Sequence, residues 1–235
     1  MLFIKEIMKK KWYFTKLEIG IWVSSVALIL TSFLIFDRVN YLNMIASLIG
    51  TTSLILCAKG NPLGQVLIII FAALYAYISW EIRYYSELIT YAFMTLPMAI
   101  FSLVSWLKNP FEKGKAEVRV NNLTKKEIVF SFFLSGIVTI IFYFILKALN
   151  TASLMVSTIS IFTSFLAGYY TFRRSELLAL AYGFNDIVLI VLWTIATISS
   201  IEYLSIVICF AVFLVNDTYT FINWRKMKKR QAEIK

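Results

Sequence analysis

Residues 176–224 read ELLALAYGFNDIVLIVLWTIATISSIEYLSIVICFAVFLVNDTYTFINW, an almost wholly apolar stretch with Asn185-Asp186 in one run and Asn216-Asp217 in the next. Each run is long enough for a membrane helix of about 20 residues, and too continuous for the alternating pattern of a barrel strand. An ionised Asp near the middle of such a helix costs about 3 kcal/mol on insertion scales. A chain that keeps one there gives it a partner or a ligand. The rest of the protein is expected to be a frame that holds these polar groups at a water-accessible point inside a bilayer.

Composition agrees. Of 235 residues, 60% are hydrophobic and 15% charged, and mean hydropathy is +0.78. Soluble domains sit near half apolar and a quarter charged, so the class is integral membrane protein. The net charge of +10 does not indicate nucleic acid, because the cations cluster between apolar runs and at the two ends. Cys57 and Cys209 fall inside apolar runs and read as buried thiols. The chain has no His, which excludes a His-ligated metal and a Ser-His-Asp triad. It also has no phosphate-binding G-x-x-x-x-G-K-[ST] loop. No cofactor and no catalytic residue are expected.

Working outward, apolar runs predict membrane helices at about 19–36, 41–58, 63–80, 88–107, 128–149, 153–171, 177–198 and 202–222. Residues 1–18 mix Leu2, Phe3, Ile4, Ile7 and Met8 with five lysines, which suits either a helix on an anionic leaflet or a solvated basic tail. With both termini cytoplasmic, the inner segments carry twenty of the 23 Lys and Arg and the outer ones only Arg38, Arg83 and Lys147. That bias is the positive-inside pattern, and two ends on one side require an even number of spans.

The polar loop 108–127 separates two similar blocks, Ile45 to Trp106 and Val156 to Trp224. Each has three apolar runs, a basic first turn (Lys59; Arg173-Arg174) and a terminal Trp followed by cations. The expected organisation is an N-terminal basic segment and extra helix (1–36), a three-helix repeat (37–107), a loop and connecting helix (108–149), a second three-helix repeat (150–224) and a basic tail (225–235). This is an all-α membrane protein of one plus 3+1+3 helices with parallel repeats, a plan that places a substrate near the midplane between repeats.

Tyr182, Asp186, Leu189 and Trp193 share one helical face, with Asn185 beside it; Phe213, Asp217, Thr220 and Trp224 repeat the spacing, with Asn216 alongside. Two such stripes make a pocket for a flat, hydroxyl-rich solute, with rings to stack on it and amide or acid groups to bond its hydroxyls. The competing reading is polar contact between helices. The first block offers Tyr75 and, near the inner mouth, Gln65. Pro97 interrupts a helix and marks a hinge. Trp12, Trp106 and Trp224 read as interfacial anchors. An aspartyl dyad of Asp186 and Asp217 is a remote alternative, since their offset along antiparallel helices looks too large for contact. A scaffold or receptor without transport is a third reading, which the buried polar stripes oppose.

From about Asn43 to Gln231 the chain resembles the PnuC family of vitamin transporters. The resemblance rests on Tyr75-Ala76-Tyr77 to Trp80, Tyr91 through Leu96-Pro97-Met98 to Trp106, Glu176 opening the penultimate helix, and Phe213-Leu214 through Asn223-Trp224-Arg225. It implies a 3+1+3 plan similar to SWEET proteins, facilitated uptake of nicotinamide riboside, trapping by a separate cytoplasmic kinase, and homo-oligomers, including trimers. Family carriers of thiamine, riboflavin and deoxyribonucleosides supply the alternative substrates. Nicotinamide riboside carriers typically have W-x-x-W and a nearby Asn in the penultimate helix. Here Asn185 stands for that Asn, Leu178 and Ala181 occupy the Trp positions, and Asp186 follows. Asp186 is then a candidate counter-ion for a cationic ring. The resemblance and the stripes together select Asn185, Asp186, Asn216, Asp217, Tyr75, Trp193, Tyr182 and Gln65 as substrate-binding.

Overall fold

Thr15 and Thr124 open two helices in the same way. Each hydroxyl accepts a bond from the backbone N–H three residues on, and each third-residue glutamate, Glu18 or Glu127, bonds back to the threonine's own N–H. This reciprocal cap satisfies two donors that a helix start leaves orphaned. The structure, a computed structural model, describes residues 13–81, 85–112, 114–151 and 153–234. Most of the basic segment 1–18 therefore lies outside the described residues, as do Trp12 and Arg83.

The helices are α1 (Lys16–Phe36), α2 (Tyr41–Ala58), α3 (Pro62–Glu81), α4 (Tyr85–Thr90), α5 (Leu96–Lys108), α6 (Lys125–Ala148), α7 (Leu154–Phe172), α8 (Leu177–Ala196) and α9 (Leu204–Glu233). A π-helical turn, Tyr91–Thr95, joins α4 to α5. Counting Glu87–Lys108 as one span, eight helices among the described residues are long and apolar enough to cross a bilayer.

Helix α9 does not stop near residue 222 as expected. It runs on to Glu233 because its last turns grip the 108–127 loop: Gln231 donates to Val118 O at 3.0 Å and accepts from Val120 N at 2.8 Å. Lys228 pairs with Glu176 at 2.6 Å, and Arg230 with Glu117. The loop is also tied to both short turns. Val118 N bonds to Gly60 O at 3.0 Å and Asn121 N to Arg174 O at 2.9 Å. Gly60 has φ +63°, and a Cβ there would meet Met227 at 2.8 Å and Val118 at 3.1 Å. Only glycine fits both the left-handed turn and the close loop.

Helices α2, α3, α5, α7, α8 and α9 each pack on the next, and α9 packs back on α2. The result is a closed ring of six, three from each half of the chain. Helix α1 lies outside, against α2 and α9, and α6 lies outside, against α7. Lipid gives no hydrophobic drive between helices, so close approach relies on small residues. Ala46 and Gly50 on α2, Ala72 and Ala76 on α3, and Ser131 and Ser135 on α6 sit one turn apart and are buried. The outer face of α6 leaves Phe130, Phe133, Ile140 and Phe144 exposed, as a lipid-facing surface requires.

Candidate substrate site

Inside the ring lies a cavity of about 90 Å³, lined by all six ring helices. That is room for a handful of waters. It is smaller than the several hundred Å³ of usual ligand sites, so this conformation is a closed one. Three carboxyl groups face it: Asp186 on α8, Asp217 on α9 and Glu87 on α4. No Lys or Arg is among the described residues that line it.

The aspartates meet. Their carboxyl groups are hydrogen-bond partners, while Asp186 Oδ2 is buried with no partner. The offset expected from the sequence is corrected by the real helix ends. Asp186 lies ten residues before the end of α8, and Asp217 thirteen after the start of α9. At about 1.5 Å per residue the mismatch is only ~5 Å, within side-chain reach. Ser102 Oγ is also buried in the lining without a partner.

Asn185 sits in the wall of the cavity with its amide oxygen held by α7. Thr163 and Ser164 each donate to it at 2.8 Å. Gln65 lines the cavity and donates to Cys57 Sγ at 3.3 Å, and Tyr182 lines it too. Asn216 faces elsewhere: its amide donates to Ser25 on α1 at 3.0 Å and to Val212 O at 2.8 Å. Tyr75 and Trp193 do not line the cavity. They face a larger vestibule of about 450 Å³ at the far end of the bundle, beside the α1–α2 and α8–α9 connections.

Aromatic side chains close both ends of the cavity. Toward the vestibule, Phe71, Tyr75, Tyr91, Phe210 and Phe213 form a contiguous cluster, with Tyr75 and Tyr91 rings 4.6 Å apart. At the other end, the Trp106 and Trp224 rings pack at a tilt of 52° with centroids 5.5 Å apart. These tryptophans are buried, not interfacial anchors. The reason is their indole N–H groups: Trp106 donates to Thr171 O and Trp224 to Cys57 O, both at 2.9 Å. Each caps the last turn of the first helix in the opposite half.

Glu87 lines the cavity although the sequence did not single it out, and Tyr91, which carries part of the family resemblance, lines it too. Glu87 falls one residue before the expected span, where an acid reads as a loop residue. It lies on α4, just before the π turn, and is buried. Pro97 has no N–H for the carbonyl four residues earlier, and its ring crowds that turn. The helix relaxes by one residue, and Leu96 N bonds to Tyr91 O instead. Such bulges recur at functional sites.

Known proteins match along most of this frame. The family model "Nicotinamide mononucleotide transporter" covers residues 40–226. The chain belongs to this family, the PnuC transporters. It is 24% identical to a nicotinamide riboside transporter PnuC of Neisseria mucosa, over 98% of this chain and 93% of that one. It is 25% identical to a namesake from Haemophilus influenzae, over 81% and 82%. The crystal structure of the vitamin B3 transporter PnuC superposes with a TM-score of 0.81 at 21% identity, covering 93% of this chain and 94% of that one. The all-helical PnuC fold is thus common to both.

Proposed function

We propose that this transporter carries nicotinamide riboside, or a closely related nucleoside-like vitamin precursor, into the cell by facilitated diffusion. The observation that carries this reading is the central cavity: three carboxyl groups, a positioned amide and several aromatic rings, with no fixed cation among the described lining residues and rings across both ends. A cationic pyridinium is attracted by carboxylates and by ring faces. Ribose hydroxyls suit Asn185, Gln65 and Ser102. A mononucleotide fits less well, because its phosphate would be buried beside carboxyl groups without a counter-charge. The relatives' names support the same substrate.

Transport proceeds by alternating access. The two three-helix units, α2–α5 and α7–α9, rock about the cavity and open the tryptophan end and the aromatic end in turn. The Lys and Arg bias puts both termini, the 108–127 loop and the tryptophan end in the cytoplasm. There a separate kinase phosphorylates the substrate and prevents its return. Homo-oligomers, trimers among them, fit the broad apolar face of α6. Deoxyribonucleosides, thiamine and riboflavin are the alternative substrates. The Asp186–Asp217 contact also meets one requirement of an aspartyl dyad, and absence of flux together with hydrolytic activity would favour that reading.

The test is uptake into liposomes. Asp186→Ala is expected to abolish nicotinamide riboside flux while the protein still elutes as a folded species in detergent. Unchanged uptake kinetics in that variant would overturn the assignment. A thermal-shift panel against the riboside, thiamine, riboflavin and deoxyribonucleosides ranks substrates, because a ligand that binds only folded protein raises its apparent stability.

A further inference from the structure

The three carboxyl groups of the central cavity come from both halves of the chain and differ in what surrounds them. Asp186 on α8 and Asp217 on α9 belong to the second unit and are engaged with each other. Glu87, on α4, belongs to the first. It is 5% exposed, and among the described residues no hydrogen bond and no opposite charge acts on its carboxyl group. Its neighbours are rings. Tyr75 and Tyr91 lie within its electrostatic reach, their rings 4.6 Å apart, and Phe71 packs on Tyr91 at 5.9 Å. Tyr91 and Phe71 line the cavity with it. Two further polar atoms of the lining, Asp186 Oδ2 and Ser102 Oγ, are buried without a partner. Orphaned buried groups that face one space call for a ligand in it.

We propose that Glu87 is the specificity-determining residue for positive charge, and that a cationic ring held between Glu87 of one unit and the aspartates of the other stabilises the closed carrier. The identity of the substrate rests on the proposed function. Negative charge in a dry space is costly without a counter-charge, and like charges facing one another add repulsion. One positive charge between them relieves both costs. It also pulls on both units at once, because its partners stand on both. The rings of Tyr91 and Phe71 add the attraction of an aromatic face for a cation. A neutral ring of the same shape keeps the hydroxyl contacts at Asn185, Gln65 and Ser102 but gains none of this. Charge is therefore read where the two units close on the substrate, and discrimination falls on the maximal rate as well as on apparent affinity.

The test is uptake into liposomes of nicotinamide riboside, whose ring is cationic, and of its reduced dihydro form, whose ring is neutral. Wild type is expected to prefer the cation by about tenfold in Vmax/KM. Glu87→Gln keeps the shape and removes the charge, and its preference should fall to near parity. Glu87→Asp keeps the charge and should retain the preference. Comparing two solutes in the same variant cancels differences in the amount of folded protein. A preference that survives Glu87→Gln, or that Glu87→Asp loses as completely, overturns the role of the Glu87 charge and leaves the proposed function standing. Equal uptake of both forms by the wild type also overturns it, whatever the variants do. Uptake of neither form by the wild type overturns this inference and the proposed function together.

Discussion

The two halves of the chain use matched bonds to different ends. In the first, Glu18 of the α1 cap pairs with Lys59 in the α2–α3 turn; in the second, Glu127 of the α6 cap pairs with Arg173 in the α7–α8 turn. Trp106 caps α7 and Trp224 caps α2 through the same indole bond. Yet Glu18 is 2% exposed and holds three groups at once: Lys59 at 3.0 Å, Tyr219 at 2.8 Å and Thr15 N at 2.6 Å. Glu127 is 30% exposed. Helix α1 thereby fastens α2 to α9, reinforced by Asn216 on Ser25 and by Trp22 on Thr52 at 3.1 Å. Helix α6 packs on α7, and its Leu146 joins Met94 of the π turn and Ile161 of α7 in a small apolar cluster. One seam between the halves is stapled by the buried polar bonds of an added helix, and the other is held by that apolar cluster and by Ser105 and Trp106 donating to carbonyls at the end of α7.

The largest test of that asymmetry is the pair Glu18→Gln and Glu127→Gln. Loss of the buried node should cost about 3 kcal/mol, because a charge is left without its partner in a dry contact. Loss of the exposed pair should cost much less, because solvent screens it. Apparent melting temperatures in detergent read the difference, and equal drops would erase the distinction between the buried node and the exposed one.

A second difference lies in the third span of each half. The first half interrupts it with the π turn and Pro97, whereas α9 runs unbroken. Pro97→Ala restores the missing N–H and lets the α-helix heal, turning Glu87, Thr90 and Tyr91 relative to the cavity. Uptake is expected to fall about tenfold, roughly 1.4 kcal/mol in transition-state terms, with stability equal or higher. Full activity in this variant would mean that the bulge does not shape the site.

The smallest effect tests likeness instead. Trp106→Phe and Trp224→Phe each remove one indole bond, worth about 1 kcal/mol. The two variants should lose matching amounts of stability in the same melting assay. A clear inequality would show that the tryptophan end is not built alike from both halves.

The eight spans could be read from the sequence because each apolar run is long and bounded by charges. The facing stripes of α8 and α9 were legible too: Tyr182, Asp186 and Leu189 meet Phe213, Asp217 and Thr220 across one cavity, since helical spacing alone fixes a shared face. Periodicity says nothing about which neighbour a face meets. Asn216 and Asp217 are adjacent in sequence, yet α1 takes the first and the cavity takes the second. Trp106 and Trp224 look like interface residues until their N–H partners on distant helices are seen.

The sequence by itself determined the membrane class, the number of crossings and the polar stripes, because the bilayer imposes length and hydropathy locally on every segment. Only the tertiary structure decided that six helices close into a ring, that Glu87 joins the two aspartates, that Tyr75 and Trp193 belong to a separate vestibule, and that aromatic rings shut both ends. Those facts depend on pairings between segments far apart in the chain, set by small-residue contacts and by buried polar groups that find their partners only once the helices have assembled.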